Sequence, residues 1–108
     1  MLRRLIPRLP GLASLRVLQA VARGAEYGFD ICIATGLASG TVYPALTRFE
    51  RDGYVRSFWE DAAKAHGEGR PPRRYYRITA EGRRALDAML ADLGVGAMRR
   101  LRPARAKS

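Results

Sequence analysis

Five residues, Thr35-Gly36-Leu37-Ala38-Ser39, constrain this chain more than any other stretch, because they separate two helical patterns and are too few to allow anything but a tight crossing. The first pattern predicts a helix over Tyr27 to Ala34. Gly36 supplies a turn conformation that side-chain-bearing residues resist, and Ser39 stands where an N-cap hydroxyl is wanted. A second helix begins there, so the stretch reads as a helix-turn-helix.

Within that second helix Val42, Ala45, Leu46 and Phe49 recur at i, i+3, i+4 and i+7, which makes one face apolar and turns it inward. At about 100° per residue, Gly40, Pro44, Thr47 and Arg51 point away from the stripe, with Tyr43 and Arg48 on its flanks. Gly40 leaves the helix start bare enough for a phosphate to reach free N–H groups. Thr47, Arg48 and Arg51 carry donors suited to base edges or phosphates. An ordinary helical hairpin with a solvated face would show the same spacing, so the residues around it have to decide.

The chain has 108 residues, a formal charge of +10 and one cysteine. That length predicts one domain with a modest core, and the charge points to a polyanionic partner. Residues 1–25 carry Arg3, Arg4, Arg8, Arg16 and Arg23 with no acid, and residues 94–108 carry Arg99, Arg100, Arg102, Arg105 and Lys107 with no acid. The middle is balanced overall, yet residues 62–84 hold seven basic side chains against two acidic ones. Cys32 cannot form an internal disulfide, consistent with a reducing cytoplasm, and its neighbours Ile31 and Ile33 predict a packed thiol. Pro7, Arg8, Pro10 and Arg16 interrupt any signal-peptide core, and the uncharged run Ile31 to Thr47 is too short and too rich in glycine and hydroxyls for a membrane span.

Taken in order, residues 1–10 read as a flexible basic arm. Leu12 to Ala22 reads as a helix apolar nearly all round, which must be buried on more than one side and hints at a partner chain. Gly53 ends the second hairpin helix. Tyr54 to Glu60 and Arg73 to Thr79 mix aromatic and β-branched residues with polar ones and predict two strands, in which Trp59 packs and one of Tyr75 and Tyr76 is core. Between them, Asp61 to Pro72 reads as a polar loop at the tip of a long hairpin, that is, a wing. Thr79 can cap a final helix with Leu86, Met89, Leu90 and Leu93 on one stripe. The expected architecture is mainly α with a small β-hairpin, a winged helix-turn-helix of order α-α-α-β-β-α. Its divisions are the arm at 1–10, a DNA-binding domain at 11–79, a dimerisation helix at 80–98 and a basic disordered tail at 99–108.

Four motifs now line up: Tyr27-Gly28-Phe29-Asp30-Ile31, then Leu37 through Leu46, then Gly53-Tyr54-Val55, then Gly69 through Gly82. In that order they resemble the PadR family of bacterial transcription regulators, over about residues 12 to 90. The resemblance implies a homodimeric repressor that binds double-stranded DNA, with the second hairpin helix in the major groove and the wing on the backbone or minor groove. By position it assigns Ser39, Gly40, Thr41, Tyr43 and Pro44 to the start of the recognition helix, and Arg70, Arg73 and Arg74 to the wing. Thr47, Arg48 and Arg51 are placed to vary sequence preference, and Lys64 adds charge to the wing. Leu12, Leu15, Leu18, Leu86, Met89, Leu90 and Leu93 are the candidate dimer interface.

Some small relatives of that family bind flat aromatic ligands between tryptophans on the last helix, but this chain has no aromatic residue after Tyr76, so an effector is left unidentified and no cofactor is expected. His66 and Cys32 make neither a nucleophile–base pair nor a closed metal site, which argues against an enzyme and a metal sensor. Two alternatives remain in the sequence: a winged-helix protein-interaction module such as an antirepressor, and a non-specific DNA-coating protein.

Overall fold

The computed structural model describes the backbone of residues 11–107 and the side chains of residues 11–94. The expected arm at 1–10 lies outside the described residues. In chain order the elements are α1 (Leu12–Ala22), α2 (Gly28–Thr35), α3 (Ser39–Arg51), β1 (Val55–Trp59), α4 (Ala62–Gly67), β2 (Arg74–Ile78) and α5 (Ala80–Lys107). This is the winged helix-turn-helix order with one short helix added at the wing tip.

Helix α1 is the hub. Its Val17 and Leu18 are completely buried, and the helix packs against α2, α3, α5 and β2 of its own chain. That corrects the expectation for three interface candidates: Leu15, Leu18 and Leu86 are spent on this chain's core, because α5 and the hairpin cover the side of α1 that the helix-turn-helix leaves open. Leu12 and Leu93 remain exposed, whereas Met89 and Leu90 are half-buried at the margin of the core.

Helices α2 and α3 meet at 116°. At the corner Gly36 adopts a φ of 73°, and its N–H donates to the Cys32 carbonyl at 2.8 Å. The Thr35 hydroxyl donates to the Ile31 carbonyl at 2.7 Å and accepts from the Leu37 N–H at 3.2 Å. Arg16 of α1 donates to the Thr35 carbonyl at 2.8 Å, satisfying an orphan acceptor at the end of α2. The N-cap of α3 is Ala38 rather than Ser39: Ala38 keeps an extended backbone while its carbonyl accepts from Thr41 and Val42, and no side chain caps the helix. Pro44 sits inside α3 with Gly40 four residues back, where the missing N–H leaves an exposed carbonyl that water can reach.

The two strands pair antiparallel from Val55 opposite Ile78 to Trp59 opposite Arg74. Val55, Ser57 and Trp59 share a face with Ile78, Tyr76 and Arg74, while Arg56 and Phe58 share the other with Arg77 and Tyr75. The segment before α2 adds a rung, for the Tyr76 N–H donates to the Glu26 carbonyl at 2.8 Å and Tyr27 bridges Tyr75. Tyr76 is buried and Tyr75 half-buried, as the alternation predicts. The expected loop at 61–72 contains α4, because the Asp61 carboxylate accepts from the Ala63 N–H at 2.9 Å and Ala65 is fully buried. Thr79 caps α5 by accepting from the Gly82 N–H at 2.9 Å. That helix continues to Lys107, past residue 98 where the sequence reading ended it, and no single helix among the described residues is long and apolar enough to cross a membrane.

Candidate nucleic-acid interface

Helix α3 is seated by Val42, Ala45, Leu46 and Phe49, all buried, and these four leave the opposite side bare. Ser39, Gly40, Thr41, Tyr43, Pro44, Thr47, Arg48 and Arg51 are all exposed. Gly40 is free of neighbours, so the approach to the helix start is open. Arg51 pairs only with the adjacent, exposed Asp52 at 3.2 Å. Arg48 is less free, since its guanidinium donates to the Ser14 hydroxyl of α1 at 3.0 Å. Thr47 donates to the Tyr43 carbonyl at 3.0 Å, which leaves the hydroxyl's lone pairs outward. Glu50, the one acid on α3, turns toward the wing, where it accepts from the Ser57 hydroxyl and lies 3.4 Å from Arg74.

Tyr43 has a specific seat. Its hydroxyl lies over Gly28 at the start of α2, where a Cβ would stand 2.2 Å from the Tyr43 oxygen. Only glycine admits the ring there.

The wing is built around a buried carboxylate. Arg70 donates to both oxygens of Glu60, at 2.5 and 2.7 Å, and also reaches Glu68 at 2.9 Å. The Arg73 N–H donates to Glu60 as well, at 3.2 Å. These contacts, the Arg70 guanidinium foremost, outweigh burial and hold the Glu60 carboxyl down at about 2, well below the usual range. The same bond keeps the guanidinium charged far above neutral pH. Tyr27 donates to the Tyr75 hydroxyl at 3.1 Å, and Tyr75 in turn lies 3.4 Å from Glu60. The bond with Tyr27, then burial, then the Glu60 charge push the Tyr75 hydroxyl up to about 12. Outside this lattice, the Arg73 guanidinium stacks 4.7 Å from the Tyr27 ring centroid, and Arg74 lies 5.6 Å from that of Trp59. Lys64 is exposed on α4.

The family model of the transcriptional regulator PadR-like family matches residues 17–88, which spans both the helix-turn-helix and the wing. The chain belongs to the PadR family. A search of curated protein sequences found no match. Among solved structures, the PadR family transcriptional regulator of Eggerthella lenta DSM 2243 is 28% identical with a TM-score of 0.67, covering 81% of this chain and 76% of that one. The smu.1704 protein of Streptococcus mutans UA159 is 26% identical, also at a TM-score of 0.67, covering 81% and 80%. The PcaV transcriptional regulator of Streptomyces coelicolor, solved with its natural ligand, shares the fold at a TM-score of 0.73 and 17% identity, over 93% of this chain and 67% of that one. PadR proteins are transcription regulators and not enzymes, and membership implies a DNA partner.

Within this PadR fold the sequence-derived candidates fall into distinct settings. Those on α3 share one outward surface, with Arg48 at its edge. Lys64, Arg73 and Arg74 are exposed on the wing, but Arg70 is only 19% exposed and is committed to Glu60 and Glu68. Its place is that of an internal strut, because two carboxylates already occupy the guanidinium fork. Four residues escaped the sequence reading: Glu60, which holds the wing; Arg16, which caps α2; Gly28, which seats Tyr43; and Arg56, exposed directly opposite Arg77. Only Gly28 carried a signal, as part of the Tyr27-Gly28-Phe29 motif. Trp59, expected to pack within its strand, is instead 64% exposed.

Proposed function

We propose that this chain is a dimeric repressor that recognises a near-palindromic operator, with α3 in the major groove and the wing on the flanking backbone. The observation that carries the reading is the outward face of α3, a bare helix start followed by Tyr43, Thr47 and Arg51, with its one acid turned away to the wing. Donors on such a face suit base edges, and Tyr43 suits a phosphate or sugar. Lys64, Arg73 and Arg74 supply sequence-independent charge. Leu12 and Leu93, with Met89 and Leu90 at the core margin, are what remains to join two copies. A two-fold axis between them sets two copies of α3 about 34 Å apart, one turn of DNA.

The test is fluorescence anisotropy of the purified protein with a labelled duplex from its own upstream region and a scrambled duplex, each at two salt concentrations. Preference for the native duplex, falling steeply with salt, supports a sequence-specific repressor. Equal binding of both duplexes marks a coating protein, and binding of neither marks a protein-interaction module. Arg73→Ala weakens both duplexes alike, whereas Thr47→Ala and Arg51→Ala weaken the native one most. Sedimentation of Leu12→Asp with Leu93→Asp shifts the dimer to monomer.

A further inference from the structure

Trp59 is the chain's single tryptophan, it ends β1 at the wing tip, and it stands 64% exposed. An indole left this open buries little of the area that makes the residue worth having in a strand. Its direction is set by the sheet. Trp59 shares a face with Ser57 and Tyr76, and Ser57 is bound to Glu50 of α3, so this is the face that turns toward the recognition helix. Trp59 lies two residues, roughly 7 Å, farther along the strand than Ser57. The ring therefore lies on the α3-facing side of the hairpin, beyond Ser57 toward the wing tip.

Arg74 is its cross-strand neighbour. The Arg74 guanidinium lies 5.6 Å from the indole centroid and donates to the Ser57 hydroxyl at 2.7 Å. The cation is thus held in place at the ring it stacks on. The charges nearby select the occupant. Arg70 is engaged by Glu60 and Glu68, Arg74 lies against Glu50, and the Asp61 carboxylate caps α4, while Lys64 and Arg73 stand exposed outside these ion pairs. An anionic ligand with an apolar ribose face meets both halves of this arrangement, whereas an apolar protein surface would strand the cations.

We propose that Trp59 and Arg74 act as one contact unit that closes on the sugar–phosphate backbone of duplex DNA beside α3, the indole against deoxyribose and the guanidinium toward phosphate. This rests on the DNA-binding reading above. It adds a residue that reports binding by itself.

The experiment titrates the full chain with the labelled native duplex, following anisotropy of the label and, in parallel, Trp59 emission and its quenching by acrylamide. The expected result is that acrylamide access to Trp59 falls in step with the anisotropy. Trp59→Ala weakens native and scrambled duplexes by about tenfold, Trp59→Phe recovers most of the loss, and both variants melt like the parent. Saturation of the anisotropy with no change in acrylamide access overturns the proposal and leaves the DNA-binding reading intact. Shielding that grows with protein concentration in the absence of DNA overturns it in favour of self-association. No duplex binding at all removes the underlying reading, and this one with it.

Discussion

In α3 the residues that hold the helix and the residues that face outward are separate sets, Val42, Ala45, Leu46 and Phe49 on one side and Gly40, Tyr43, Thr47 and Arg51 on the other. In the wing no such division exists, since its tip buries only Ala65 of α4 and otherwise depends on Glu60, Arg70 and packed, tilted aromatic rings for its shape. The difference teaches how to read an arginine. On α3, Arg51 is free to serve a partner because apolar burial already fixes the backbone. In the wing, Arg70 is first a structural part, so a count of basic residues overstates the charge available to a ligand.

The contrast is open to attack at its strongest point. Leu46→Ala empties a buried site and lowers the unfolding free energy by about 2–5 kcal/mol, read by urea denaturation as a loss for the whole domain. A change confined to α3 would break the distinction. Next in size, Arg70→Ala leaves the Glu60 carboxylate buried without its partner. Amide hydrogen exchange then speeds up across residues 60–74 while α3 keeps its protection, and Arg70→Lys restores little because it lacks the fork.

A smaller effect follows from pH. The Glu60 carboxyl titrates at about 2 in the fold against an ordinary 4.5, so its contribution is complete above 4.5 and is lost as pH falls through 2. Urea midpoints measured down that window therefore drop faster for the parent than for Glu60→Gln. Smallest in stability is Gly28→Ala, where the added Cβ pushes aside only the end of an exposed side chain and gains helix propensity of up to about 1 kcal/mol. The thermal midpoint stays within a few degrees, yet duplex affinity falls because Tyr43 has lost its seat. The same change in a Tyr43→Ala background costs no further affinity, and an additive loss would show that Gly28 acts by another route.

Much of α3 was legible because its apolar stripe repeats at helical spacing and its turn carries a glycine where a positive φ is needed. Burial was legible for Leu15, Leu18 and Leu86 too, but periodicity says only that a side chain is covered and not by which chain. The exposure of Trp59 lies outside the pattern for a related reason: alternation along a strand assigns a face, while the extent of the element covering that face is a tertiary fact. Arg70 looked like a DNA contact because its partner Glu60 lies ten residues away across a segment with no regular period. The cap on α3 slipped by one residue, since Ala38 does by backbone conformation what a hydroxyl at Ser39 was expected to do.

The bridge from Tyr27 to Tyr75 ties the hairpin to the residue from which α2 springs, with the two rings 4.8 Å apart. Seen mechanically, the wing is a lever whose fulcrum is the root of the helix pair. A load at its tip is carried to the start of α2, against which Tyr43 of α3 is seated. On the proposed reading, with α3 and the wing both on the duplex, this tie means that the two grips are ordered together and the loss of rotational freedom is incurred once rather than twice.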